Sequence, residues 1–357
     1  MTTSPSGTCI TECTRSTIAF CLFCVVAATV VLVDICARSK PLALWMDGER
    51  QGRVRAAQIT YRHKCFYESM EDQVMLDFLP SGDYSQGSVC LVGASTLAVA
   101  TRIWDLPPGE QALIHNFGTP ETCHTMHFQM LEYLTDHRDL LRAGPENTLI
   151  VIAVTYHCGL CKNGPRDPFV ASATKYGHYA YDQDRGLQPG PARPVLRWIQ
   201  TEKSRIPGFL RMSRELAIAH VKLAFNIDPG PLRRRHDPIV YNDRMRRKMG
   251  ESWIKNQDDQ IAAFDRMSDY VLERKIHLAV VLLPLASWDD ELPFEARYNA
   301  RMTALCQAKG VPLYDWSGML GDDEFGDGNH ANISGMEKLH AALMGLAFAH
   351  LQRKAKQ

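Results

Sequence analysis

Gly326-Asp327-Gly328-Asn329-His330, followed by Asn332 and Gly335, sets an Asp three residues before a His on a glycine-framed turn. A carboxylate at that spacing can hold one imidazole nitrogen and leave the other bare as a proton acceptor, which is two thirds of a nucleophilic triad. The third member should be an exposed hydroxyl or thiol at a strand end far away in sequence. Val89-Cys90-Leu91-Val92-Gly93-Ala94-Ser95 supplies one, as an apolar run with the character of a buried parallel strand, ending in Gly-x-Ser. Ser95, Asp327 and His330 are therefore the candidate catalytic residues. Their chemistry is acyl transfer through a serine nucleophile, which calls for no metal and no organic cofactor.

Such residues must be held by a sheet. The pattern predicts a strand over Ser88 to Val92 and a helix over Thr96 to Trp104, with Leu97, Ala100 and Trp104 at helical spacing. Ala112 to Gly118 reads as a second strand and its terminal loop, Thr122 to Leu141 as an amphipathic helix and Leu149 to Val154 as a third strand. Regular alternation resumes with a helix from Trp253 to Lys275 and a strand from Leu278 to Leu283, stopped by Pro284. A helix from Pro293 to Lys309, a short edge strand from Val311 to Asp315 and a closing helix from Ser334 to Leu351 complete the set. This order implies an α/β fold, a parallel sheet in a three-layer α/β/α arrangement with the three residues at its carboxyl edge.

The 357 residues are enough for one large or two modest domains, and 40 basic side chains balance 40 acidic ones. Nothing in that balance, and no basic stripe interleaved with aromatics, points to nucleic acid. Ile18 to Val33 runs without a charge inside a Thr17 to Ala37 stretch long enough to cross a bilayer. It is read as a retained transmembrane helix rather than a cleaved signal peptide, whose apolar core is shorter. Arg15 precedes it, whereas Arg38, Lys40, Arg50, Arg53 and Arg55 follow, so positive-inside counting alone leaves the main domain in the cytoplasm.

The expected organisation is a tail over 1–16, the transmembrane helix over 17–37, a linker and packing segment over 38–80, and a catalytic domain over 81–357. From about 156 to 250 prolines and glycines break the alternation, leaving Met212 to Phe225 as an isolated amphipathic helix; such an excursion is a lid or binding surface. Arg233-Arg234-Arg235-His236 within it is either an anion-binding run or a solvated corner. Eleven cysteines, five of them in or beside the membrane segment, do not form a disulfide framework. Cys158-Gly159-Leu160-Cys161 is read as plain thiols or a local disulfide before a redox pair or half a zinc site, because no second Cys pair has metal spacing. His115, His124 and His127 are read as solvent-facing or packing residues before a substrate contact.

Gly93-x-Ser95 after an early strand, Asn116-Phe117-Gly118 after the second and Asp327-x-x-His330 before the last helix resemble the first, second and last sequence blocks of the SGNH/GDSL hydrolase superfamily. With the membrane anchor, the long middle excursion and the strand ending Leu282-Leu283-Pro284, the chain is similar to that superfamily's membrane-anchored branch. This branch includes the D-alanine transfer protein of lipoteichoic acid and the alginate O-acetylation proteins. The resemblance covers about residues 88–351 and implies a flavodoxin-like SGNH fold.

Two departures stand out. The usual Gly-Asp-Ser-Leu is Gly93-Ala94-Ser95-Thr96, and the block that contributes an oxyanion-hole Asn is replaced by Thr155-Tyr156-His157-Cys158; Tyr241-Asn242-Asp243 matches it by letters only. The oxyanion hole would then rest on the backbone N–H groups of Ser95 and Gly118, with Asn116 and His157 as further oxyanion or substrate contacts.

The resemblance implies a membrane-anchored O-acyltransferase or esterase. Such an enzyme adds or removes an acyl group, acetyl first, on a cell-envelope or secreted polysaccharide. The implied partner is a multi-pass membrane-bound O-acyltransferase that hands over the acyl group, which places the domain in the periplasm or outside the cell, against the count of basic flanks. The other reading kept open is a non-catalytic SGNH-like protein that binds the polymer or scaffolds a membrane acylation complex.

Overall fold

A computed structural model describes residues 8–39, 87–160 and 238–355 with few gaps, shorter stretches at 179–189 and 206–225, and isolated residues between 42 and 84. The Arg233–His236 run, His178, Cys161 and most of the 38–80 segment lie outside the described residues.

Five strands form one parallel sheet: β1 (Ser88–Gly93), β2 (Ile114–Gly118), β3 (Thr148–Val154), β6 (His277–Leu282) and β7 (Leu313–Asp315). Their spatial order is β2-β1-β3-β6-β7. Counted along the sheet alone this is the flavodoxin-like order, which reverses between β1 and β3 and opens a crevice at their carboxyl ends.

Alternation along the strands builds both cores. Cys90, Val92, Ile150, Ile152, Val154, Leu278, Val280 and Leu282 join one buried cluster; it includes residues of α3 (His124–His137), α5 (Trp253–Glu273) and α6 (Phe294–Lys309). Val89, Leu91, Leu149, Val151, Ala153, Ala279 and Val281 join the other, shared with α2 (Ser95–Ala100) and α7 (Ile333–Ala355). Successive side chains point to opposite faces of a strand, so a sheet covered on both sides needs apolar residues at every position. β1 and β3 are buried at each of theirs. The result is the three-layer α/β/α architecture expected.

Two elements differ from the sequence reading. The first helix stops at Ala100 instead of running to Trp104, because Thr101 takes an extended conformation and the polar groups there find tertiary partners. The Asn116 amide donates to Thr101 Oγ1 at 2.5 Å, and the Arg102 N–H donates to His340 Nδ1 of α7 at 3.0 Å. The middle excursion is not strandless either. β4 (Tyr179–Asp182) and β5 (Gly186–Pro189) pair as an antiparallel hairpin, and α4 (Pro238–Met249) leads back into the domain. Tyr241-Asn242-Asp243 lies inside α4, where the Asn242 amide donates to the Trp288 carbonyl at 3.0 Å.

At the amino end, α1 (Thr8–Arg38) contains Ser16–Ala37, 22 residues long and apolar enough to cross a membrane. Its large side chains are bare: Phe20, Phe23 and Leu32 are each more than half exposed.

Candidate active site

Ser95 is the first residue of α2, two positions beyond the end of β1. The chain turns there through Ala94 in an extended conformation, and the turn is tight because Gly93 has no side chain. A Cβ on Gly93 would stand 2.1 Å from the Ala153 carbonyl and 3.0 Å from Leu97, so β3 and α2 both close on this residue. The leading glycine of Gly-x-Ser is thus a packing requirement that delivers the serine to the crevice. Ser95 is half-buried there, whereas its neighbours on either side are buried. The helical ladder begins with Ala98 N–H on the Ala94 carbonyl, so the Ser95 and Thr96 N–H groups precede it at the helix amino end.

The histidine arrives from the other side of the fold on a self-supporting turn. Gly326 N–H donates to the His330 carbonyl at 2.8 Å, and Phe325 and Ala331 pair as an antiparallel bridge. Asp327 Oδ1 accepts the N–H groups of Asn329 at 3.1 Å and His330 at 2.8 Å, which fixes the carboxylate over the ring. Asn332 then caps α7, its Oδ1 accepting from Ser334 and Gly335 N–H, so helix and turn are one rigid piece. The loop after β6 ties it to the sheet: Ala286 N–H donates to the Gly328 carbonyl, and Ser287 donates through its N–H and Oγ to Asp322.

These elements bring the three residues into line. His330 Nδ1 lies 2.9 Å from both Asp327 carboxylate oxygens, and His330 Nε2 lies 2.8 Å from Ser95 Oγ. With the carboxylate at Nδ1, that nitrogen carries the proton and donates, so Nε2 is the bare acceptor facing the serine hydroxyl. Burial pushes the Asp327 carboxyl up. Its hydrogen bond to His330, the imidazolium charge and the two backbone N–H groups outweigh burial and bring it down to about 2. Asp327 is therefore a carboxylate at any physiological pH, able to orient the ring and stabilise it once protonated. A serine, a correctly polarised imidazole and a fixed carboxylate at the carboxyl edge of a parallel sheet can carry hydrolysis or acyl transfer.

The expected oxyanion residues divide. Gly118 N–H donates to Asn116 Oδ1 at 2.8 Å, and the Asn116 amide is taken by Thr101. Asn116 is 1 % exposed, so this N–H and this side chain close a buried clip between β2 and the end of α2 instead of facing a substrate. Gly118 is needed for contact: a Cβ there would meet Ala98 N at 2.6 Å. The Gly118 N–H expected to serve the oxyanion is thus taken by Asn116 in this structure. His157 sits at the carboxyl end of β3, beside the strand that delivers Ser95, in the short helical turn Tyr156–Gly159. Its Nδ1 shares a hydrogen bond with Thr155 Oγ1 at 3.1 Å, and its Nε2 lies 3.9 Å from Asp289, a buried carboxylate in the loop after β6. Asp289 was not singled out from sequence; a lone Asp in a loop carries no local signal until the fold sets it opposite His157.

His115, His124 and His127 are all buried, so packing holds and solvent does not. Cys158 is buried. Among the described residues no group of three His, Cys, Asp or Glu side chains is placed to hold a metal. Comparison of the sequence with protein-family models and with curated proteins finds no match.

Proposed function

We propose that this chain is a membrane-anchored serine acyltransferase or esterase of SGNH type. It acts on O-acyl groups, acetyl first, of a cell-envelope or secreted polysaccharide. The observation that carries the reading is the unbroken contact from Asp327 through His330 to Ser95 Oγ. Ser95 Oγ attacks the acyl carbon while its proton passes to His330 Nε2. Collapse of the tetrahedral adduct breaks the bond to the leaving oxygen or sulfur, which takes that proton and leaves an acyl-serine. An acceptor hydroxyl, from a sugar or from water, then gives its proton to Nε2 and attacks in turn; collapse returns the proton to Ser95. The Ser95 N–H, ahead of the α2 ladder, is the backbone donor closest in sequence to the developing oxyanion, and His157 is the side chain offered to the substrate.

The domain organisation and the outward placement belong to this proposal, as does a multi-pass membrane O-acyltransferase that supplies the acyl group. Their support is the sequence resemblance and the helix able to span a bilayer ahead of the domain. A second reading, a non-catalytic polymer-binding or scaffold protein of a membrane acylation complex, is favoured by one observation: the Gly118 N–H is occupied by Asn116.

Purified full-length protein in detergent, given an activated acetyl ester with and without oligosaccharide acceptors, separates the two. Ser95→Ala and His330→Ala should each reduce acetyl release on the order of 10⁴-fold or more. The partition of acetyl between water and sugar then decides esterase against transferase. Equal rates in wild type and both variants would leave the binding protein in front.

A further inference from the structure

Every described residue from 206 to 224 is helical, and Phe225 N–H closes the last turn on the Val221 carbonyl at 3.0 Å. At 3.6 residues per turn, Phe209, Leu216 and Ala219 fall on one side, and Leu210, Arg214, Ile218, Val221 and Phe225 on the other. The first side is covered: Phe209 and Leu216 pack with Leu42 and buried Met46. The second side is bare, with Leu210 51 %, Val221 50 % and Phe225 73 % exposed. A helix apolar on both sides needs a second cover.

The packed side says where that cover lies. Leu42 and Met46 follow α1 directly, four and eight residues beyond its last residue Arg38. The apolar stretch Ser16–Ala37 has 22 residues, about 33 Å of helix, which matches the hydrocarbon thickness of a bilayer and leaves no slack. Ala37 is already buried by the rest of the chain, and Val33, Asp34 and Cys36 are partly covered, so the domain abuts the end of the span. Whatever seats on Leu42 and Met46 is held at the membrane surface. Trp45, between them, is 58 % exposed, and Trp favours the headgroup region, where its ring is apolar and its N–H is wet.

We propose that the stripe Leu210–Ile218–Val221–Phe225 lies in the lipid interface beside α1, as a second, non-spanning membrane contact that holds the domain against the bilayer. Arg214 is the one charge among the described residues of the stripe. The inference rests on α1 spanning the bilayer and is independent of the chemistry assigned to Ser95. Its consequence is that the domain has a fixed height above the membrane instead of swinging on a tether.

The test uses the full chain in phosphatidylcholine vesicles containing an anionic lipid and a lipid with a diazirine in its acyl chain. After photolysis and digestion, adducts should appear on α1 and on the peptide spanning 206–225. The triple variant Ile218→Glu, Val221→Glu, Phe225→Glu should lose the second set and keep the first, and its far-ultraviolet circular dichroism should be unchanged. These side chains are exposed, and wild-type labelling decides the matter should the variant not fold. Adducts on α1 alone, with 206–225 labelled no more than α6, would overturn the proposal; that result is expected if a protein partner covers the stripe instead. Adducts on neither would remove the span and the proposal with it.

Discussion

Two polar networks meet the end of β1, and they are built on opposite principles. On the α7 side, His330 faces a carboxylate and a hydroxyl, in a crevice that stays partly open. On the β2 side lies a buried network in which the described residues place no carboxylate on either ring. Thr122 Oγ1 donates to the Gly93 carbonyl at 3.2 Å and accepts from His127 Nε2–H at 3.0 Å. Next to it, His124 shares a 2.7 Å hydrogen bond with Tyr298. Burial drives His127 down to about 3, against the pull of the Gly93 carbonyl, and burial followed by its neighbour His127 holds His124 well below the ordinary histidine range. Both rings are locked neutral. A histidine near a nucleophile is therefore not enough for chemistry: a general base also needs a carboxylate to orient it and access to the reacting group.

The largest expected effect tests that contrast. Asp327→Asn should keep the turn but present the wrong imidazole tautomer, lowering turnover by about 10⁴-fold. His127→Gln, which can still donate to Thr122, should leave turnover within a few-fold of wild type. Comparable losses in the two variants, measured by acetyl release at saturating substrate, would erase the distinction between the networks.

A smaller effect concerns the clip on the same buried side. Asn116→Ala strips the buried Gly118 N–H and Thr101 hydroxyl of their partner, which should cost about 1–3 kcal/mol in urea unfolding. If the change instead raises activity by freeing the Gly118 N–H, Asn116 acts as a brake on the oxyanion hole.

The smallest effect is one of pH. His127 has a folded pKa depressed below its unfolded value, so the folded state binds fewer protons than the unfolded one between about pH 6.5 and pH 3. Its contribution is complete above pH 6.5 and lost as pH falls. Between pH 6.5 and 5.5 it removes about 1 kcal/mol, which His127→Gln should abolish. Asp327 follows the same direction at lower pH: its contribution is complete above about pH 4 and lost towards pH 2. Equal pH slopes for wild type and His127→Gln in denaturant titrations would show that His127 titrates freely in the folded protein.

The sheet and the triad were legible because they are carried by strong local signals. Apolar runs such as 278–283 read as strands, Gly93-x-Ser95 marks a tight exit from a strand, and Asp327-x-x-His330 is a short turn whose geometry depends on its own backbone. The early end of α2 was not legible, since Thr101 and Arg102 find their partners at Asn116 and His340, far away in sequence. The same holds for Gly118: a glycine at a strand end reads equally as an oxyanion donor or as a contact point, and Ala98 and Asn116 decide for contact. Asp289 has no sequence signature at all; only the pairing of β3 with β6 brings its loop to His157.

In the proposed mechanism Ser95 carries the acyl group. Full-length protein mixed with an activated acetyl ester, quenched in acid within the first turnover and digested, should show one acetyl on the peptide holding Ser95. Ser95→Ala should show none. An acetyl found on another residue, or none on the wild type while product still forms, would contradict the account.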